Sequence, residues 1–216
     1  MKRRPIVFAV VALLTVVGAV IYWLTRPTLA DDAIAATRAV VENDPATLYD
    51  YTFEFQREQI GMTREDFVRY WQTLIAPRYS RFRPQGEIRA HIFRGGHQAE
   101  ATLPAVDENG FEHDFGAVVW ETGHGGRRSL LGDLVGVWWL EFLPEKGGWS
   151  ADNVTRIEAI LQGLRRDRKT LESLGITRIP GAEPGDRPVT LDEWERRLVR
   201  LLEELKRNQP RADPDP

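Results

Sequence analysis

Residues 97–121, HQAEATLPAVDENGFEHDFGAVVWE, decide the fold class. Residues 97–106 read as one strand and 111–121 as the next. Between them Asp107-Glu108-Asn109-Gly110 is a hairpin turn, because Asn-Gly tolerates the positive φ angles that a tight reversal needs. Upstream, Gly95-Gly96 turns the chain once more. From Arg81 the hydrophobic period is two, with Ile88, Ala90 and Ile92 alternating with Glu87, Arg89, His91 and Phe93. Downstream, Gly123-His124-Gly125-Gly126 reads as a flexible loop. Residues 134–143 (LVGVWWLEFL) form the most hydrophobic strand, and 144–148 turn into a short edge strand at Trp149. The expectation is an antiparallel meander.

Before the meander the pattern is helical. Ile34, Ala35, Thr37, Arg38 and Val41 fall at helical spacing after Asp31 and Asp32, two acids suited to a helix N-terminus. Asn43-Asp44-Pro45 ends that helix and starts another, with Asp44 as N-cap and Leu48, Tyr51, Thr52 and Phe55 as its apolar stripe up to Gly61. Thr63-Arg64-Glu65-Asp66 opens a third in the manner of a capping box. Phe67, Tyr70, Trp71, Leu74 and Ile75 stripe it until Pro77, which is expected to end it. Helices followed by an antiparallel meander make an α+β domain. After it, 154–174 reads as a long helix closed by Gly175, and Thr190-Leu191-Asp192-Glu193 caps a last one striped by Trp194, Leu198, Leu201, Leu202 and Leu205.

The chain begins differently. Residues 6–24 (IVFAVVALLTVVGAVIYWL) carry no charge. As a helix they would be about 28 Å long, close to the hydrocarbon thickness of a bilayer. Lys2, Arg3 and Arg4 precede them, and Asp31 and Asp32 follow, which points to a cytoplasmic N-terminus and an exported remainder. A cleaved signal peptide is the rival, but Thr28-Leu29-Ala30 is a poor cleavage site. The expected organisation is a cytoplasmic tail (1–5), a transmembrane signal anchor (6–24), a linker (25–30), an α+β domain (31–155), a helical extension (156–207) and a disordered tail (208–216). The expected location is the cell membrane, single-pass, with the domain extracytoplasmic.

Composition narrows the chemistry. The net charge is −3 and there is no cysteine. That removes thiol nucleophiles, disulfides and cysteine-ligated zinc. An acidic domain lacks the basic footprint that nucleic acid requires. The four histidines, His91, His97, His113 and His124, have no metal-ligand spacing, and Gly123-His124-Gly125-Gly126 lacks the lysine of a phosphate loop. No cofactor or metal is expected.

The Asn43-Asp44-Pro45-Ala46-Thr47-Leu48-Tyr49 helix break, the Gly61-Met62-Thr63 entry, and Leu140-Glu141-Phe142-Leu143 followed by Gly147-Gly148-Trp149-Ser150-Ala151-Asp152 together resemble the nuclear transport factor 2-like fold, also called cystatin-like or SnoaL-like. The resemblance covers about residues 31–155. It implies a sheet curved into a cone around the helices. Within it, Asp50, Tyr70, His91, His113, Trp139 and Glu141 are candidate pocket residues, since a carboxylate in an apolar cavity has a raised pKa and can act as a base. Many members of the fold bind or assemble without chemistry. The reading that follows is an anchored domain, not an enzyme, that binds a protein partner, pairs with itself or scaffolds an envelope complex. The alternative is a small-ligand pocket of the isomerase or dehydratase kind. Arg165-Arg166-Asp167-Arg168-Lys169 is a basic cluster that a membrane surface would attract.

Overall fold

Thr28 starts the first well-formed element of the computed structural model, which describes residues 15–17, 27–93, 95–122, 125–128, 130–131 and 151–207. Its hydroxyl accepts from the Asp31 N–H at 3.2 Å while the Asp31 carboxylate accepts from the Thr28 N–H at 2.8 Å. This capping box sets helix α1 at Leu29–Val41, two residues ahead of the expected start. Asn43, in the left-handed region at φ 54°, reverses the chain, and Asp44 caps α2 (Pro45–Asp50).

One helix was expected from Pro45 to Gly61, and two are found. Tyr51 and Phe53 are drawn into extended pairing: the Arg128 N–H donates to the Tyr51 carbonyl at 2.7 Å, and the Phe53 N–H to the Arg128 carbonyl at 3.0 Å. Thr52, fully buried, turns its hydroxyl back onto the Tyr49 carbonyl, a bond that competes with helix continuation. Helix α3 (Glu54–Ile60) resumes and ends at Gly61, φ 67°.

Helix α4 (Arg64–Tyr70) starts on the Thr63–Asp66 capping box. Pro77 does not stop it. The helix widens to a π-turn at Trp71–Ile75, in which the Ala76 N–H donates to the Trp71 carbonyl, and continues as α5 (Ala76–Tyr79). Pro77 has no N–H for the Thr73 carbonyl, and in an α-helix its ring would strike that oxygen. The wider turn removes the clash without ending the helix.

The sheet has strands β1 (Arg83–Pro84), β2 (Arg89–Ile92), β3 (Gln98–Val106), β4 (Glu112–Thr122) and β5 (Gly125–Arg127), all antiparallel, in the order β1-β3-β4-β5 with β2 also on β3. It is curled. The Asp107 carboxylate accepts from the N–H groups of Asn109 and Phe111 and holds the expected β3–β4 turn, with Gly110 at φ 85°. One face of β3 is buried at Ala99, Ala101, Leu103 and Ala105. Ala33 and Ala36 of α1 meet Ala99, Ala101, Ala117 and Val119, so small side chains bring the helix backbone close to the sheet.

A larger apolar cluster lies on the other side of α1. It combines Leu48, Phe67, Trp71 and Ile75 with residues of α6 (Ala151–Ser173) and α7 (Leu191–Arg207). Gly175, φ 79°, closes the turn after α6. The short pair β6 (Arg178–Ile179) and β7 (Val189–Thr190) precedes α7, which starts on the Thr190–Glu193 capping box. The apolar stripe of α7 is spent on this core. The basic cluster of α6 is largely neutralised: Arg165 and Arg168 bond Glu195, and Arg168 also bonds Glu172 and Asp192.

Among the described residues, no helix is long and apolar enough to cross a membrane. The longest, α6, is 23 residues but carries the charged run 165–169. This overturns the expected transmembrane element of the fold. The signal-anchor and single-pass topology and the membrane location read from it fall with it. Of the run 6–24, only residues 15–17, which are helical, lie among the described residues.

Candidate functional site

Of the residues singled out from sequence, Asp50, Tyr70 and His91 are not brought together. Asp50, at the end of α2, is exposed and ion-paired with Arg64. Tyr70 is fully buried in the helical core, its ring 5.9 Å from that of Phe67. His91 is exposed on β2, its ring edge-on to Phe93 at 5.3 Å. His113 lies on β4 opposite Ala105, and its side chain is outside the described residues. Trp139 and Glu141 also lie outside them, as does the expected strand 134–143.

The interface between α1 and the sheet, where a cone would open, is filled. Besides the facing alanines, the buried Thr37 hydroxyl donates to the Ala101 carbonyl and accepts from the Ala117 N–H, both at 2.9 Å. Ala101 and Ala117 are register partners, so the hydroxyl is wedged into the β3–β4 ladder. Backbone and hydroxyl occupy the volume a substrate would need.

Gln56, half-buried Gln59 and Asp167 also have structural partners, whereas the buried Trp194 Nε1–H has none among the described residues. Gln56 donates to the Gly181 carbonyl at 2.9 Å and accepts from the Leu130 N–H at 2.8 Å. Gln59 accepts from the Gly181 N–H and donates to the carbonyls of Glu183 and Asp186. Asp167, nearly buried, holds Arg78 and Arg166. Burial pushes the Asp167 carboxyl up, but the Arg166 hydrogen bond and the Arg78 charge outweigh it and hold the group below the usual carboxylate range. The carboxyls of Asp31, Asp44, Asp66 and Glu193 are lowered by the N-cap bonds they make or receive. Burial, then the nearby Asp32 charge, pushes the Tyr51 phenol up, against the Arg127 guanidinium. None of these is an acid poised beside a base in a cavity. Among the described residues, no group of histidines and carboxylates could hold a metal ion.

What the fold does build is a cleft of about 430 Å³ beside the π-turn. Trp71, from the π-turn, stacks on Tyr79 of α5 with centroids 5.8 Å apart and planes 11° from parallel. The Trp71 Nε1–H donates to the Asn43 Oδ1 at 2.8 Å, which ties the reversal after α1 to this wall. Val40, Val41, Ala76, Pro77, Phe82 and Pro84 complete the apolar lining, and Gln72, Ser80 and Asn43 are its polar groups. The site exists because Pro77 forces the wider turn and Asn43 adopts a positive φ, two irregularities of the kind found where a fold makes room for a ligand. The sequence reading counted Trp71 as core and Pro77 as a stop. The signal it passed over was a proline directly after an unbroken helical stripe, with a second ring at Tyr79 one turn beyond Ile75.

No protein-family model matches the chain, and no curated protein and no solved structure matches it.

Proposed function

We propose that this chain is a non-catalytic binding domain and that the ring-lined cleft beside the π-turn is its recognition site. The observation that carries this reading is the contrast between the α1–sheet interface and the cleft beside the π-turn. The α1–sheet interface is filled by alanine and a bridging hydroxyl. The cleft is open, of ligand size, and lined by rings with a few neutral polar groups, the usual make-up of a small recognition site. The order of helices before a curled antiparallel sheet is only loosely compatible with the cone resemblance. Within that resemblance the chain reads as a member that binds, not as one that isomerises or dehydrates.

The test is a ligand-observed NMR screen of neutral ring-bearing fragments against the full chain and against Ser80→Trp, which places a bulky ring at the cleft. Fragments that bind the natural chain should lose their signal with the variant, while its far-UV spectrum and melting temperature stay close to the natural values. A screen in which no fragment distinguishes the two proteins refutes the reading.

A further inference from the structure

The sheet leaves an edge open at β2. Among the described residues β2 pairs with β3 and with no other strand, and all four of its residues are exposed. The phase of its hydrogen bonds follows from its neighbours. The Phe93 N–H donates to the Gln98 carbonyl at 2.9 Å, and bonded pairs in an antiparallel ladder recur at every second residue. Arg89 and His91 therefore bond β3, at Thr102 and Glu100. The Glu121 N–H donates to the His97 carbonyl at 2.8 Å, which turns the odd-numbered residues of β3 toward β4 and leaves the even-numbered ones to β2, in the same phase. Ala90 and Ile92 thus turn their N–H and C=O groups outward, where an extended chain can pair with them. At β1 the edge is blunted, because Pro84 has no N–H to offer.

The edge is also basic. Residues 81–94 hold four arginines and one glutamate, a net charge of +3 in a chain of net −3. Arg81, Arg83 and Arg89 are exposed and make no ion pair among the described residues. The register places Arg89 and His91 on the sheet face away from α1, beside Thr102 and Glu100, where Glu100 offsets one positive charge. It places Ala90 and Ile92 on the α1 face, beside the buried Ala101 and Ala99. Ile92, at the rim of that face, is 46% exposed.

We propose that β2 docks an extended acidic segment of a partner protein as an added strand. This surface is separate from the cleft, none of whose lining residues lies on β2. The added strand bonds the outward groups of Ala90 and Ile92, and its side chains alternate between the two faces. Those that share a face with Arg89 and His91 are Asp or Glu. Those that share a face with Ala90 and Ile92 are apolar and cover the exposed Ile92. A charge on an edge strand normally discourages pairing. Here it discriminates between partners. A second copy of this chain would bring one segment of charge +3 against another, whereas an acidic strand meets opposite charge. A helix has its own backbone groups bonded internally and offers none to Ala90 and Ile92.

The probe is a fluorescein-labelled octapeptide of alternating Glu and Val, read by fluorescence anisotropy on the full chain. The controls, with the same label, are the alternating Lys-Val octapeptide, a Glu-Val octapeptide N-methylated at every valine, and an eight-nucleotide thymidine strand. Glu-Val should bind at least about tenfold tighter than Lys-Val and than the N-methylated peptide. Its affinity should fall at least about tenfold in Arg89→Glu and by a smaller factor in Arg89→Gln, with the far-UV spectrum of both variants unchanged because Arg89 is exposed. Added salt should weaken it. Equal binding of Glu-Val and its N-methylated form overturns strand addition. Equal binding of Glu-Val and Lys-Val overturns the acidic class. Tighter binding of the thymidine strand than of Glu-Val assigns the edge to nucleic acid and overturns the proposal. Binding that both Arg89 variants leave unchanged places the site elsewhere and overturns it, and so does a lack of binding by every probe. The cleft is tested separately, by the fragment screen.

Discussion

Thr37→Val replaces a hydroxyl with a methyl of nearly the same shape, so it tests the wedge between β3 and β4 without opening a cavity. In the native chain that hydroxyl is fully buried and makes two bonds of 2.9 Å, one to the Ala101 carbonyl and one from the Ala117 N–H. With valine, both backbone groups stay in the dry α1–sheet interface with no partner. Each such orphan costs about 1–3 kcal/mol, so the expected loss for the two is roughly 2–6 kcal/mol. For a chain of this size each kcal/mol lowers the melting temperature by about 2–4 °C, so a shift of roughly 4–24 °C is expected. Thr37→Ser keeps the hydroxyl and should lose about 1 kcal/mol, from one buried methyl. Urea unfolding of the full chain separates the outcomes, provided the slope is the same for all three proteins. A loss below about 1 kcal/mol in Thr37→Val would mean that β3 and β4 close and Ala117 bonds Ala101 directly, and the wedge argument would be wrong.

Two further substitutions test packing elsewhere in the fold. Asp167→Asn removes the charge that pairs with Arg78, whose side chain is 34% exposed and so stays partly solvated, and should destabilise by about 1–2 kcal/mol. The native carboxyl is held below its unfolded value. Its contribution is therefore present above the ordinary carboxylate range and is lost as pH falls through the lowered value, so the urea midpoint of the natural chain should drop more between pH 7 and pH 3 than that of Asp167→Asn. Gly116→Ala would place a Cβ 1.7 Å from the Ala101 carbonyl oxygen, a backbone atom that cannot swing away. It should cost more than about 4 kcal/mol and show as a large fall in melting temperature or in soluble yield.

The elements that local chemistry alone dictates were legible. Asp107 to Gly110 is a turn whatever surrounds it, because its bonds lie within five residues of one another. The caps at Thr63 and Thr190 are local in the same sense. What misled was the behaviour of segments whose partners lie far along the chain. The helical period of 45–61 is real, yet its middle is claimed by Arg128, more than seventy residues away. Pro77 reads as a stop on local grounds, but the apolar stripe before it is held by α6 and α7, and the helix adapts instead of ending. The candidate pocket residues Asp50, Tyr70 and His91 stand apart for a related reason. They were placed by a resemblance of element order, and element order does not say how closely α1 approaches the sheet. The alanines at 33, 36, 99, 101 and 117 do, since only small side chains allow the two backbones to meet.

The ion pair between Arg78 and Asp167 joins these observations to the cleft. Arg78 lies between Pro77 and Tyr79, two residues of the lining, and it reaches back to α6. The short helix α5 has one full turn and no side-chain cap of its own, so its position is set by what holds its ends. At one end the π-turn fixes Ala76 through the Trp71 carbonyl. Near the other, Asp167 anchors Arg78 from a site that is nearly closed to water, where a charge pair is screened little. The plane of the Tyr79 ring thus depends on a carboxylate in another helix, while Asp167 is itself absent from the cleft lining. A ligand that presses Tyr79 against Trp71 strengthens the same arrangement that Asp167 holds, so occupancy of the cleft should stabilise the packing of α6 on α5. A cleft wall tied in this way to the C-terminal helices gives a physical reason for those helices to share the main core.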